Sequence, residues 1–217
     1  MRPVVSRAES PVRRKKSPVR RKSPEERRAE IVVAASSIAV SDGLDRVTAK
    51  RVATELGVVP GLVNHYFAAV DDLVAASFSY AAEAEREEIF AAALAGDTPR
   101  DWMRRLLAEL LDPARDPVSL LWLDAWQASR KRPALLREVL GQMEAYTVRL
   151  TDLVQAGVDK SVFHVDDSSA TALRIMSLVD GLSVQAASRS EIDYRTVSEF
   201  VVRTTESELG LAPGGLA

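Results

Sequence analysis

Cysteine is absent from this chain of 217 residues. The absence excludes disulfide bonds, catalytic thiols and zinc sites built on cysteine, and it fits a reducing compartment. Histidine is also scarce, with two residues in all. No serine or lysine is coupled to a base, and there is no glycine-rich phosphate loop. The sequence therefore predicts no catalytic residue, no cofactor and no enzymatic activity.

Long hydrophobic runs are missing as well. The apolar stretch at residues 31–40 contains two serines and is much shorter than the roughly 18 residues that a membrane-spanning helix needs. The N-terminus is basic but lacks the apolar segment of a secretion signal. Since 47% of the residues are hydrophobic, the chain can still build a buried core. We expect a globular cytoplasmic protein with no membrane partner.

Basic residues are concentrated at the N-terminus, although the formal net charge is only −2. Residues 1–22 hold nine of the 29 Lys and Arg residues and one of the 31 acids, so this segment carries +8 and the rest −10. It repeats the hexapeptide SPVRRK, and its regular prolines and few apolar side chains predict a disordered arm. Such blocks of charge often bind nucleic acids; the alternative is a solvated tail without a partner. The candidate DNA contacts in the repeats are Arg13, Arg14, Arg20 and Arg21.

Beyond the arm, apolar residues recur with a helical period almost everywhere. Ser23 and Pro24, followed by two glutamates, form the start signal of a first helix. Glycines and prolines separate the later helices, and no alternating strand pattern is convincing. The expected fold class is all-α, with a three-helix domain at residues 23–70, a helical bundle at 71–210 and a flexible tail at 211–217.

Two later segments indicate how the bundle packs. Residues 133–158 carry one continuous apolar stripe, as expected of a long helix lying on a core. Residues 170–186 carry apolar side chains in nearly every direction, so this helix must be covered on more than one side. We expect its own domain to cover one side and a second copy of the chain to cover the other, which predicts a homodimer.

The segment from Thr48 to Phe67 has the spacing of a helix-turn-helix motif. Ala53 is small where a second helix must cross closely, and Gly57 can adopt the left-handed conformation of the turn. Apolar residues occupy the positions that join the two helices. A helical hairpin with no DNA-binding role can also contain an alanine and a glycine, but the complete pattern favours a DNA-binding unit.

These residues resemble the TetR family of transcriptional regulators. The likeness covers residues 25–75, through VTAKRVATELGV, HYF and AAVDDL. Residues 118–209 are similar to the ligand-binding part of the BetI-like branch, through LLWLDAWQASRKRPALLREV and LVDGLSVQAA. The resemblance implies a homodimer whose last two long helices form a four-helix interface. It also implies one recognition helix per subunit in the major groove of a palindromic operator.

Carried over to this chain, the resemblance implies two kinds of DNA contact. Thr48 and Tyr66 are expected to contact phosphates, and Lys50 is expected to contact a phosphate or a base edge. Asn64 is the best base reader, because its amide can form two hydrogen bonds with adenine. The other recognition-helix residues at positions that usually face DNA are Gly61 and His65.

The chain departs from the family pattern in ways that remove phosphate contacts. Where the family commonly has Ser-Lys-Gly-Thr, residues 59–62 read Val-Pro-Gly-Leu, and Val70 replaces the usual lysine that opens the fourth helix. Arg51 stands at a position that is often acidic in the family. We expect Arg51 and the basic arm to restore part of the charge attraction, which dominates protein–DNA affinity.

Aromatic residues and methionines of the second half predict a ligand pocket. All three tryptophans lie within 25 positions, and two of them are about one helical turn apart. Such a set can hold an apolar or aromatic effector, although ordinary core packing is the alternative. Asp124, Gln127 and Gln185 are candidates for orienting the ligand. The predicted ligand-binding residues are Trp102, Trp122, Trp126, Met143, Tyr146 and Met176.

His164, Asp166 and Asp167 have side chains of the kind that bind metals. Their position at a predicted helix start is explained more simply by a loop and an N-cap. The sequence therefore predicts no metal site.

Three functions from different classes remain open. The best supported is a ligand-responsive repressor that binds a palindromic operator as a dimer and is released by a small apolar or aromatic effector. The second is a constitutive architectural DNA-binding protein that uses the basic arm. The third is an all-helical enzyme that contains the same hairpin.

Deleting residues 1–22 is expected to weaken DNA binding without changing the preferred sequence, because the arm offers charges on no fixed scaffold. Each phosphate that the arm neutralises adds about 0.9 to the magnitude of the slope of log affinity against log salt, so truncation is expected to flatten this slope by several units. Binding of the full-length and truncated proteins to one operator, measured from low to moderate salt, checks this. Equal slopes would identify the arm as a solvated tail.

Overall fold

The computed structural model describes residues 22–188 and 193–216, and within these ranges all regular structure is helical. The all-α expectation is confirmed. No helix in this part of the chain has the length and apolarity required to cross a membrane. Residues 1–21, with the four arginines predicted to bind DNA, lie outside the described residues. The α-helices are α1 (Pro24–Asp42), α2 (Ala49–Leu56), α3 (Pro60–Tyr66), α4 (Val70–Leu94), α5 (Pro99–Leu110), α6 (Asp116–Ser129), α7 (Pro133–Asp159), α8 (Ser168–Ser188) and α9 (Tyr194–Glu208).

Helix α1 begins at the predicted start signal. The Ser23 hydroxyl accepts a hydrogen bond from the Glu26 N–H at 3.1 Å, and the Glu26 carboxylate accepts one from the Ser23 N–H at 2.7 Å. This reciprocal cap satisfies N–H groups that the first turn of a helix leaves without partners. The predicted apolar face is buried against the core shared with α2 and α4; it consists of Ile31, Ala35, Ile38 and Ala39.

Helices α2 and α3 form the predicted helix-turn-helix. Helix α2 ends at Gly57, whose φ of +64° lies in the left-handed region that glycine adopts without strain. The Val58 N–H then donates to the Ala53 carbonyl oxygen at 2.9 Å and closes the turn. Ala53 is 1% exposed, in the same core as Val63 of α3. A larger side chain at residue 53 would push the two helices apart.

Helix α4 passes through two hydrophobic cores. Its first half, including Leu73 and Phe78, packs with α1, α2 and α3 and with Leu121 and Leu135 from α6 and α7. Its second half, including Phe90, packs with α5, α7, α8 and α9. The boundary expected near residue 70 is therefore the start of a helix that belongs to both halves of the molecule.

The apolar faces of α7, α8 and α9 are only partly covered within one chain. Leu150 of α7 is buried, but Leu140, on the predicted stripe, is exposed. In α8, Val179 is buried whereas Leu173 is 57% exposed, and Phe200 of α9 is 54% exposed. This uncovered face agrees with the need for a second copy, and the dimer remains a prediction.

The C-terminal segment differs from the flexible tail expected at residues 211–217. Residues 211–216 fold back onto α9, where the Glu206 carboxylate accepts hydrogen bonds from the Gly214 and Leu216 N–H groups at 3.0 Å each. Leu216 is buried in the second core. A carboxylate that binds two main-chain donors and an apolar anchor fix a segment that composition alone marks as mobile.

Replacing Gly157 with alanine is expected to destabilise the fold. A Cβ atom at Gly157 would stand 2.0 Å from the Phe163 ring, whereas one at Gly141, in the same helix, would meet nothing within 4 Å. Gly157→Ala should therefore lower the free energy of unfolding by about 1 to 3 kcal/mol or more, while Gly141→Ala should raise it by up to about 1 kcal/mol. Urea unfolding at one protein concentration measures both. The same sign for both variants would contradict this packing.

Candidate functional site

The helix-turn-helix presents most of the predicted DNA contacts to solvent. Lys50 lies at the start of α2, and Gly61, Asn64 and His65 lie along α3; all four are exposed. Tyr66, at the end of α3, is half-buried, and its ring meets the His65 ring edge to face at 5.2 Å. The fold therefore brings these residues to one accessible unit, as a DNA-reading surface requires.

Thr48 and Arg51 are joined by a hydrogen bond at the start of α2. The Thr48 hydroxyl accepts a hydrogen bond from the Arg51 N–H at 3.1 Å, which caps the helix and leaves the hydroxyl proton available for a phosphate. The Arg51 guanidinium lies between Glu55, at 3.0 Å, and Asp42, at 3.2 Å. Hydrogen bonds from Ser41 and then Arg51 lower the pKa of Asp42. Arg51, expected to restore attraction for DNA, is thus balanced by two carboxylates.

Apolar side chains occupy the edges of α3 where phosphate contacts were expected to be lost. Val59, before α3, is 70% exposed, and Val70, at the start of α4, is 50% exposed. Neither side chain can bind a phosphate. Beneath this edge Phe67 is buried, and the Arg28 guanidinium carbon lies 4.8 Å from the centre of its ring.

A cavity of about 100 Å³ lies between α4, α6, α7 and α8. It contains five of the six residues predicted to bind a ligand, and the helical spacing of the tryptophans was the signal that identified this region. Its lining consists of Trp122, Trp126, Met143, Tyr146 and Met176, together with Glu85, Leu110, Arg115, Ser119, Thr147, Leu173, Ser177, Val179, Asp180, Ser183 and Val184.

Trp102, the sixth predicted residue, does not line the cavity. Its indole N–H donates to the Gly96 carbonyl oxygen at 2.7 Å, and the Lys160 ammonium lies 4.3 Å from the centre of its ring. The indole ring therefore holds the turn between α4 and α5 in place. Trp102 packs on the second core and lies outside the cavity, so its ligand contact stays a prediction that this cavity does not support.

The polar groups of the cavity differ from those expected. Asp124 and Gln127 line a separate open groove beside Leu44, and Gln185 is exposed and outside the cavity. The carboxylates that reach the cavity are Glu85 and Asp180. Asp180 stands inside an otherwise apolar helical segment, which was a usable signal in the sequence; nothing around Glu85 on the alanine-rich α4 sets it apart.

Burial controls the protonation of both carboxylates. Removal from water raises the pKa of Glu85, although the Tyr146 hydroxyl donates to its Oε2 atom at 3.0 Å and opposes this shift. Burial also raises the pKa of Asp180, to about 6. The same effect, followed by the nearby Glu85 charge, raises the pKa of Tyr146, so its hydroxyl stays a donor. Such perturbed groups in one cavity are typical of a functional site.

Aromatic rings also line the cavity. The Trp122 ring lies 6.0 Å from the Trp126 ring and 6.1 Å from the Tyr146 ring, and it meets Phe78 of the first core edge to face at 4.9 Å. The Trp126 Nε1 and Ser183 Oγ atoms are buried without a hydrogen-bond partner in the described part of the chain. Aromatic faces beside carboxylates suit a compact cation, and the two unused polar atoms suit a ligand that also forms hydrogen bonds.

Arg115 lies at the same cavity but is held by acids outside it. Its guanidinium contacts Glu109 at 2.6 Å and Glu88 at 3.4 Å. Because two carboxylates already balance this charge, it does little to neutralise Asp180, which makes no ion pair with any described residue.

The metal-binding residue types near α8 have structural partners. The Asp167 carboxylate accepts hydrogen bonds from the Ser169 and Ala170 N–H groups at 2.9 and 3.0 Å, as an N-cap does. The His164 N–H donates to the Leu209 carbonyl oxygen at 2.9 Å. Over residues 22–188 and 193–216, no three potential metal-binding side chains of His, Cys, Asp or Glu gather at one point.

Comparison with known families gives a match to the second half of the chain. Residues 99–210 match a family model described as "BetI-type transcriptional repressor, C-terminal". The match covers just over half of the chain and contains α5 to α9. It includes every residue that lines the cavity except Glu85.

Curated relatives match over most of their length. The HTH-type transcriptional regulator BetI of Rhizobium meliloti is 27% identical over 164 residues, which is 76% of this chain and 79% of the relative. The BetI protein of Burkholderia mallei is 29% identical over 172 residues, 76% of this chain and 84% of the relative. Both relatives are transcriptional regulators rather than enzymes.

Solved structures share the whole architecture. A TetR transcription regulator from Haloarcula marismortui superimposes with a TM-score of 0.70 at 22% identity, covering 86% of this chain and 97% of that one. A protein from Saccharomonospora viridis, solved in complex with choline, superimposes with a TM-score of 0.71 at 19% identity, covering 84% and 96%. At these identities the likeness concerns the fold.

Replacing Asp180 with asparagine is expected to stabilise the protein without ligand at neutral pH. Burial raises the pKa of Asp180 from an ordinary 3.8 to about 6, so the folded state favours the protonated acid, and wild-type stability falls as the pH rises from about 4 through 6. Asp180→Asn should therefore be more stable by about 1 to 3 kcal/mol at pH 7.5, and the difference should shrink towards pH 4. Urea unfolding of both proteins checks this; a difference independent of pH would contradict it.

Proposed function

Because this chain belongs to the TetR family of transcriptional regulators, in its branch of BetI-like repressors, we propose that it is a ligand-responsive repressor released from its operator by a small organic cation. The observation that carries the effector class is that two carboxylates, Glu85 and Asp180, line one cavity together with the rings of Trp122, Trp126 and Tyr146. A neutral apolar effector, as the sequence suggested, would leave the Asp180 carboxylate, which forms no ion pair with a described residue, partly desolvated without a partner. A cation would compensate this charge and meet the aromatic faces.

Choline is chemically complementary to the lining of this cavity. Its quaternary ammonium group suits the aromatic rings and the carboxylates, and its hydroxyl can bond the unused Trp126 N–H or Ser183 hydroxyl. The cavity volume of about 100 Å³ restricts the effector to a small molecule, since a cavity of about 150 Å³ holds benzene. The structural neighbour from Saccharomonospora viridis was solved with choline, and we extend this ligand class to the present chain.

The proposed operator contact uses α2 and α3 of each subunit in a homodimer. The exposed Asn64, with Gly61 and His65, reads base edges in the major groove, while Thr48 and Tyr66 position the unit on phosphates. The exposed apolar side chains Leu173 and Phe200 support a dimer through α8 and α9. Two-fold symmetry then makes the operator palindromic.

The proposed coupling runs through Trp122 and α4. Trp122 lines the cavity and also contacts Phe78, in the part of α4 that packs on the DNA-binding helices. A ligand that displaces this ring acts on a rigid helix whose first residue, Val70, is separated from the end of α3 by only three residues. Release requires the ligand to bind the two arrangements with different affinities.

Choline and its neutral isostere 3,3-dimethylbutan-1-ol test this function. Choline is expected to quench or shift tryptophan emission and to remove the footprint on an operator selected from random duplexes, whereas the isostere should bind at least about tenfold more weakly, since a desolvated cation–π contact is worth about 2 kcal/mol. Choline affinity should fall as the pH drops below about 6, because protonation removes the Asp180 charge. The Glu85→Gln substitution should lower the affinity for choline and leave the affinity for the isostere unchanged.

The outcomes separate the alternatives. Equal affinities for choline and the isostere would contradict a cationic effector and support the apolar effector that the sequence suggested. Choline binding without loss of the footprint would instead favour a constitutive DNA-binding protein.

A further inference from the structure

The turn between α6 and α7 carries three consecutive basic residues, Arg130, Lys131 and Arg132. Arg132 Nε lies 3.6 Å from the Asp71 Oδ1 atom, in the first turn of α4. Ala134, in the first turn of α7, lines one groove together with Tyr66 at the end of α3. The basic turn therefore stands beside the connection between α3 and α4.

The other side of the turn faces the connection between α1 and α2. Arg130 and Lys131 line a second groove with Leu44 and Asp45, and Thr48 follows three residues after Asp45. The turn is thus flanked by the segments that hold Thr48 and Tyr66, the two residues to which phosphate contacts are assigned. The ligand-binding half of the chain reaches the DNA-binding end of the molecule at this turn.

The positive charges of Arg130 and Lys131 are not neutralised by an ion pair with any described residue. Both side chains are exposed, and neither forms an ion pair or hydrogen bond with the described residues. The acids that share their groove are Asp45, which contacts Arg46 at 3.6 Å, and Asp124. Basic residues after the C-terminus of α6 also suit the helix dipole, but this effect concerns stability and does not involve DNA.

We propose that Arg130 and Lys131 bind phosphates of the operator DNA, beside the surface formed by α2 and α3. The proposal rests on the proposed DNA-binding function and adds a contact surface from outside the helix-turn-helix. It supplies cations where the chain is short of them, since Arg51 is balanced by two acids and an exposed Val70 opens α4. The body beyond residue 22 carries a charge of −10 and repels DNA. Unpaired cations beside α2 and α3 would therefore contribute to the attraction between the protein and DNA.

The double variant Arg130→Gln/Lys131→Gln in the full-length protein tests the proposal. The probe is the duplex that the wild-type protein selects from random sequences, and its affinity is measured between 0.05 and 0.3 M salt. Each lost phosphate contact should reduce the magnitude of the slope of log affinity against log salt by about 0.9, with an affinity loss on the order of tenfold at 0.1 M salt. The selected base sequence should stay the same, because phosphate contacts carry no sequence information.

The matched control is Arg100→Gln/Arg105→Gln on α5, which removes the same charge from two exposed arginines. Helix α5 packs on the second half of α4, far from α3 along that helix. The control should keep the wild-type slope. Equal losses in both double variants would show a general effect of net charge and overturn the proposal, as would a wild-type slope for the 130/131 variant.

Two further measurements keep the result interpretable. If the double variant is unfolded by circular dichroism, the single Lys131→Gln variant replaces it, with an expected slope change of about 0.9, and an unchanged slope would overturn the proposal. If the wild-type protein selects no DNA sequence at all, the proposed function itself fails, and this contact fails with it.

Discussion

Both hydrophobic cores of the molecule are built on α4, and the contact between Phe78 and Trp122 joins them. Phe78 is fully buried in the first core, and Trp122 packs on both cores while it also lines the cavity. Glu85 follows Phe78 on the same helix by seven residues, about two turns or roughly 10 Å. Because the Trp122 side chain lines the cavity and also packs on both cores and on α4, a change in the cavity would be transmitted towards α2 and α3.

Unpartnered polar groups around the cavity lower the stability of the folded protein. Asp180 is half-buried without an ion-pair partner in the described ranges, and the Trp126 Nε1 atom lacks a hydrogen-bond partner there. Each such group costs free energy in the folded state, and a core built only for packing would use apolar residues in their place. Their presence around one cavity, beside aromatic rings, supports the proposed ligand site.

Charge is distributed unevenly along the molecule, and this limits how it can approach DNA. The nine basic residues of the first 22 contrast with an acidic body. Within the helix-turn-helix, Arg51 is balanced by Asp42 and Glu55, and the apolar edge at Val59 and Val70 offers no charge. Apart from Lys50, which is exposed on α2, we therefore expect the attraction for the phosphate backbone to come from outside the motif, through the arm and the turn between α6 and α7.

Sequence by itself determined the local features of this protein. The cap of α1 at Ser23, the left-handed turn at Gly57 and the tryptophan pair of α6 follow from backbone preferences and helical spacing, which act within a few residues. Only the tertiary structure decided that Glu85 and Asp180 meet in one cavity, that Trp102 closes the connection between α4 and α5 instead, and that Arg51 is balanced by acids. Helical periodicity specifies which face of a helix is buried, but the packing of four helices specifies which buried faces meet.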